Sequence, residues 1–266
     1  MTRPLLVALA LLCLAACAGT SDAPPVPPAA LADLAPTGKL RAVINYGNPV
    51  LAKKDAAGEP AGVSVDLARE LARRLGVPVE LVTVPSAGQS VETLKAGRVD
   101  VGFFAIDPLR GVDTAFTAAY VQIEGAYLVR DASPLRVNDE VDRDGIRVAV
   151  GLKSAYDLYL TRELKKAKIV RVPTSPAVVN FFIANNLDVA AGVKQQLEMD
   201  AKRVPGLRLL PGRFMVINQA MGMRRGREAG AKYLAAFVEE MKASGFVAEA
   251  LRRHAVEGAL VAPPGG

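Results

Sequence analysis

The sequence predicts a two-lobed α/β protein with two parallel-rich sheets and a ligand cleft between the lobes. Short apolar runs alternate with amphipathic stretches at helical spacing, the order of parallel strands covered by helices. The same order occurs twice within 266 residues, a length that suits two modest lobes. With 51% hydrophobic and 23% charged residues, the chain has enough apolar surface for a core, which excludes wholesale disorder.

In the first half, Leu40 to Asn45 reads as a buried strand, and Tyr46 to Gly62 as a loop. Ser64 to Leu75 reads as a helix: Leu67, Leu71 and Leu75 share a face, Ser64 or Asp66 can cap its start, and Gly76 stops it. Val79 to Val84 is a second strand, Ser90 to Ala96 a short helix ended by Gly97, and Val99 to Phe104 a third strand. Val121 to Val129 is a further strand.

The second half repeats the series. Ile146 to Val150 is a strand, Gly151 to Ser154 a tight loop, and Ala155 to Lys166 a helix with Tyr156, Leu160 and Leu164 on one face. Ile169 to Val172 is a strand and Pro176 to Ala184 a helix. Asn185 to Val189 then mirrors Gly97 to Val101: a stop, a turn, an Asp and an apolar strand. Met215 to Met223 is expected as a crossover strand, Ala231 to Ala243 and Phe246 to His254 as helices, and the residues past Gly258 as a frayed end.

Residues 1–16 read as an export signal. Arg3 supplies the positive start, Leu5 to Leu14 is apolar but too short to span a bilayer, and small residues follow. Two cleavages fit. Leu14-Ala15-Ala16-Cys17 resembles a lipobox, with Cys17 as the lipidated first residue; Ala16-Cys17-Ala18 fits an ordinary cut. Residues 17–36 are expected to form a flexible tether, being rich in Pro, Ala and Ser at their start.

Residue counts exclude much chemistry. The one histidine, His254, is near the C-terminus, and the two cysteines, Cys13 and Cys17, precede the body of the protein. Histidine-based zinc sites, a mid-chain Ser-His-Asp triad and disulfides in the body are therefore excluded, and no metal or cofactor is expected. The net charge of +6 is spread among interleaved acids rather than along a stripe, and Trp is absent, so nucleic acid is not an expected partner.

Ligands of open parallel sheets bind beyond the carboxyl ends of the strands. Here those ends are Asn45-Tyr46, Ala105-Ile106-Asp107, Gly151 to Ser154 and Gly192 to Lys194.

Several segments stand in a familiar order: Gly38 to Arg41, Gly62 to Ala68, Leu94 to Val101, Ile106 to Arg110 and Ala115 to Tyr120. Over Gly38 to His254 the chain resembles the family 3 extracellular solute-binding proteins, receptors of ABC importers for polar amino acids. The resemblance implies the type II periplasmic-binding-protein fold, in which two crossover strands join lobes that close on a ligand. It places the crossovers near Leu128 to Ser133 and Phe214 to Ala220. Lobe 1 would comprise residues 37–130 plus 215–266, and lobe 2 residues 131–214.

The resemblance also implies roles. Arg110 would grip the ligand carboxylate, which a guanidinium fork matches with two parallel hydrogen bonds. Lys153, Ser154 and Ala155 would present the N–H groups of a helix N-terminus to an anion, although Ser154 can equally be a plain helix cap. Asn45 and Tyr46 would supply a polar contact and an aromatic wall, or form a simple turn. Phe103 to Ile106 is apolar where the family often has hydroxyl residues, so Ala105 and Ile106 would form a greasier wall. Asp107 is expected to cap its turn, and Asp66 and Asp100 to be structural.

One departure concerns the ligand. The family's ammonium-binding Asp falls at Val193, followed by Lys194. Glu124 or Asp157 would be a substitute; otherwise the ligand lacks an ammonium group and Lys194 faces a second acidic group. The expected protein is a monomeric periplasmic receptor, tethered by lipid, that captures a small carboxylate-bearing solute (an amino acid or related organic acid) by hinge closure. It would hand that solute to an ABC permease in the inner membrane. The alternatives are an exported enzyme on the same fold, such as a cyclohexadienyl-type dehydratase, and a ligand-sensing module for a membrane receptor.

Overall fold

The computed structural model describes residues 25–265, so the expected signal sequence and Cys17 lie outside the described residues. Lobe 1 opens with helix α1 (Pro28–Leu34), strand β1 (Leu40–Asn45), the hairpin β2 (Lys53–Lys54) and β3 (Pro60–Ala61), and helix α2 (Val63–Leu75). Strand β4 (Val79–Val84), helix α3 (Ala87–Lys95) and strand β5 (Val101–Ala105) follow. β1 is paired in parallel with β4 on one side and β5 on the other. Its side chains alternate between two packing layers. Leu40, Ala42 and Ile44 pack on the side of Leu67 and Leu71, while Val43 meets Leu94, Val99 and Phe104. A strand covered on both faces reads as the continuous apolar run seen in the sequence.

Strand β6 (Thr114–Arg130) leads into lobe 2, with strand β7 (Arg147–Gly151), helix α4 (Ala155–Glu163), strand β8 (Lys168–Val172) and helix α5 (Val178–Ala184). Strand β9 (Val189–Val193), helix α6 (Lys194–Arg203) and strand β10 (Leu207–Leu209) complete it. β7 pairs in parallel with β8 and β9, as β1 does with its neighbours. The chain returns through strand β11 (Met215–Arg224) to helices α7 (Glu228–Ala243) and α8 (Phe246–Arg253) and strand β12 (Leu260–Val261).

Instead of two separate sheets, the strands of both lobes form one continuous sheet in the order β4-β1-β5-β11-β6-β9-β7-β8, with β10 and β12 also paired to β6. Residues Thr114 to Gly125 pair with β11, and Gly125 to Leu128 pair with β9. The first crossing therefore lies at Gly125, before the expected Leu128 to Ser133. Gly125 meets Met215 of β11 on one side and Val193 of β9 on the other. A Cβ there would come within 2.7 Å of the Met215 side chain and 2.9 Å of the Phe214 ring, so the close approach needs glycine.

Several boundaries differ from expectation: β6 begins at Thr114 rather than Val121, α3 at Ala87 rather than Ser90, and four others have identifiable causes. The tether expected through residue 36 gives way at Pro28 to α1. Ala30 and Leu34 are buried, the Asp33 carboxylate accepts Gly230 N–H at 2.9 Å, and the Asp33 carbonyl accepts Arg227 Nη1 at 2.7 Å. α2 begins at Val63 after Gly62, and neither Ser64 nor Asp66 caps it. Ser64 is inside the helix, 3.4 Å from the Tyr120 hydroxyl, and Asp66 pairs with Arg253 and His254. α4 stops at Glu163 rather than Lys166 because the Asp142 carboxylate takes the N–H groups of Lys165, Lys166 and Ala167. The expected frayed end is ordered: Leu260 and Val261 pair with β6, and Ala262 N–H donates to the Tyr120 carbonyl at 3.1 Å. Among the described residues no helix is long and apolar enough to cross a membrane.

Candidate functional site

The strand ends of the two lobes face each other across a narrow cavity. Its volume, taken as the space open to the centre of a water molecule, is about 40 Å³. Asn45 at the end of β1, Ala105 at the end of β5, Ser154 before α4 and Val193 at the end of β9 all line it, together with Arg110. The four loops that sequence placed at the strand ends thus each contribute a lining residue.

Arg110 lies on the turn after β5 and is only 5% exposed. Its Nη1 donates to the Ala105 carbonyl in lobe 1 at 3.1 Å, and its Nη2 to the Lys153 carbonyl in lobe 2 at 2.9 Å. The guanidinium therefore spans the two lobes. It forms no ion pair among the described residues, and two of its five N–H groups are spoken for. Burial lowers its pKa to about 10, partly opposed by the field of Asp107, so it remains charged at neutral pH. A desolvated cation without a counter-charge is poised to accept an anion.

Ser154 caps α4, its Oγ accepting the Asp157 N–H at 3.0 Å. It is buried and also lines the cavity, as does Ala155, so the cap and the cavity wall coincide. Tyr156 lies beside them, and burial raises its pKa against hydrogen bonding from Ser175 and Ser154.

Lys153 contributes its backbone. It adopts φ +56, its N–H donates to Asp157 at 2.8 Å and its carbonyl holds Arg110. Its ammonium reaches across to Glu92 of α3 at 3.2 Å. Asn45 lines the cavity, with its Oδ1 accepting the Gly47 N–H at 2.8 Å.

Tyr46, Ile106, Lys153, Glu124 and Lys194 are not among the lining residues. Tyr46 packs toward the lobe 1 core with Lys54 6.0 Å above its ring. Ile106 is 45% exposed on the outer surface. Glu124 sits beside the Gly125 crossing and pairs with Lys194 at 3.0 Å and Arg213 at 2.6 Å, which together hold its carboxyl below the usual glutamate range. Asp157 is fully engaged with the Lys153 N–H, Thr161 and Arg171. Asp107 accepts the Leu109 N–H at 2.9 Å and pairs with Arg162 of lobe 2 at 3.0 Å.

The structure adds lining residues that sequence reading passed over: Asn48, Ser64, Ser175, Ile217 and Gln219. Gln219 is 7% exposed in the middle of β11, and a Gln inside an otherwise apolar strand is the signal that could have found it. The Asn48 Oδ1 is buried with no hydrogen-bond partner among the described residues. No group of acids, histidines or cysteines among the described residues is arranged to hold a metal ion.

Comparison with known proteins bears on the fold and the family. No curated protein matches the chain. The solute receptor for L-cysteine of Neisseria gonorrhoeae superposes with a TM-score of 0.75 at 20% identity, covering 86% of this chain and 95% of that one. A mutant of ArgBP from T. maritima gives 0.74 at 21% identity, covering 86% and 100%. The cysteine-binding protein of Campylobacter jejuni gives 0.74 at 18%, covering 84% and 92%. At these identities the likeness establishes the fold. The model of one family matches residues 40–257, nearly all of both lobes. The chain belongs to the bacterial extracellular solute-binding proteins, family 3.

Proposed function

We propose that the protein is the exported receptor of an ABC importer, and that it captures a small carboxylate-bearing solute, an amino acid or related organic acid, by closing its lobes. The observation that carries this is Arg110, a buried guanidinium without an acidic partner whose two hydrogen bonds end on opposite lobes. A carboxylate at this point meets the Arg110 fork and the N-terminus of α4 together. Because these groups come from different lobes, such a ligand binds the closed form better than the open one and shifts the population toward it. The arginine and cysteine receptors that share the fold support small-solute capture as the task.

The reading extends to place and partner. Residues 1–16 would direct export to the periplasm, Cys17 would carry the lipid and a short tether ending at α1 would hold the receptor near its permease, working as a monomer. The test is solute binding by calorimetry in Arg110→Ala. Each hydrogen bond to a charged group contributes about 1.5–3 kcal/mol, so loss of the two-bond fork weakens binding by about two to four orders of magnitude. The far-ultraviolet circular dichroism stays that of the parent. Undiminished affinity in Arg110→Ala removes the assignment.

A further inference from the structure

We propose that the cleft takes a compact, amino-free monocarboxylate bearing a hydroxyl or keto oxygen, such as a small 2-hydroxy or 2-keto acid. This rests on the reading of the cleft as a carboxylate site and names its ligand class.

Charge is the first argument. Among the described residues, Arg110 is the one charged side chain in the cavity lining. A monocarboxylate neutralises it. An ammonium on the same ligand would be taken out of water with no carboxylate to receive it, a cost that a hydroxyl or keto oxygen does not incur. Every nearby acid is already engaged: Asp107 by Arg162, Asp157 by Arg171 and the Lys153 N–H, and Glu124 by Lys194 and Arg213. A second carboxylate fares no better, since the Lys153 and Lys194 ammonium groups are held by Glu92 and Glu124 outside the cleft.

The remaining wall is neutral. Asn48, Ser175 and Gln219 supply uncharged hydrogen-bonding groups, while Phe103, Val193 and Ile217 are apolar. The Asn48 Oδ1, without a partner among the described residues, is an acceptor suited to a ligand hydroxyl, whereas a keto oxygen would instead take a hydrogen bond from Asn48 Nδ2, Ser175 or Gln219. Size is the last argument. About 40 Å³ of space for water centres admits a ligand of a few heavy atoms but not a long side chain.

The test uses the exported chain, unfolded in guanidinium and refolded to strip any bound solute, then titrated calorimetrically. Glycolate, L-lactate and pyruvate are compared with glycine, L-alanine, L-serine and L-cysteine, and with malonate. We expect at least one of the first three to bind tenfold or more tighter than its amino counterpart and than malonate. An amino acid that binds equally or more tightly, in a manner lost in Arg110→Ala, overturns the ligand class and leaves the carboxylate site standing. If none of these acids binds, the ligand class falls; titration with the remaining common amino acids then decides the carboxylate site, and no binding there removes that site too. Asn48→Asp supplies a second readout, because it sets a carboxylate on the neutral wall. The alanine-to-lactate affinity ratio is expected to rise at least tenfold in that variant, and an unchanged ratio counts against the proposal.

Discussion

At Arg110, burial and charge oppose each other, and the opposition gives the residue its use. The guanidinium stays charged at neutral pH although burial lowers its pKa, so an anion that reaches it relieves a strain the ligand-free protein carries. Asp100 is the contrasting case of a buried charge fully satisfied within the fold. Its carboxylate accepts the Arg41 backbone N–H at 3.1 Å and the Arg41 side chain at 3.0 and 2.7 Å. Asp100→Ala leaves Arg41 without its partner, and breaking a buried pair costs about 3–5 kcal/mol. The melting temperature should fall by roughly 10 °C with little change in ligand affinity, measured by calorimetry and titration. Ser154 and Ala155 were legible as the start of a helix after a strand-end loop, and Arg110 through the family resemblance of Ile106 to Arg110. Glu124 and Lys194 were not. Their pairing joins residues seventy positions apart in the chain at the crossing of two lobes, and nothing local records it.

Among the elements, those set by local periodicity were read closely and those set by distant partners were not. β1 and β4 begin and end where the apolar runs do, and α7 carries its stripe of Leu234, Phe237, Val238 and Met241 into the core. α6 went unread as a helix because only Gln196 and Leu197 are buried in it, which leaves too weak a face. α1 and β12 depend on tertiary docking, against α7 and β6 respectively. β12 has only two residues, but it covers the lobe 1 stretch of β6, and Ala262 beyond it is 5% exposed. Removing residues 259–266 strips these pairings and bares the Tyr120 carbonyl. The loss should be about 1–3 kcal/mol, a melting temperature lower by several degrees. Amide exchange would quicken at Val121 and Gln122 in particular. Unaltered exchange there would mean that the tail covers β6 without protecting it.

For the whole molecule, the proposed capture turns on a balance between open and closed arrangements of two lobes whose strands meet at Gly125. In the described arrangement three contacts join the lobes without a ligand, as the proposed closed form requires: Asp107 to Arg162, Glu92 to Lys153, and Arg110 Nη2 to the Lys153 carbonyl. Of these, Asp107 to Arg162 is the most sheltered, with the Asp107 side chain 5% exposed, whereas the Glu92 and Lys153 side chains are both more than half exposed and count for little. Asp107→Asn separates closure from local structure. The amide oxygen can still accept the Leu109 N–H that shapes the turn, but the charge facing Arg162 is gone. A loss of about 1 kcal/mol from the closed form alone would shift the open-to-closed ratio about fivefold. If the closed form is a minority without ligand, the apparent dissociation constant rises by a similar factor; if it dominates, the first sign is a larger radius of gyration in the ligand-free protein by X-ray scattering. Acid should act on the hinge in the same sense. Arg213 and Lys194 hold the Glu124 carboxyl below its ordinary pKa, so the stabilisation they provide is present at neutral pH and is lost as pH falls through that lowered value. In Glu124→Gln this acid-dependent part of the stability should disappear, while the Asp107→Asn effect on closure persists. A variant Asp107→Asn with the parent's radius of gyration and the parent's affinity would show that the interlobe pair has no part in setting the open-to-closed balance.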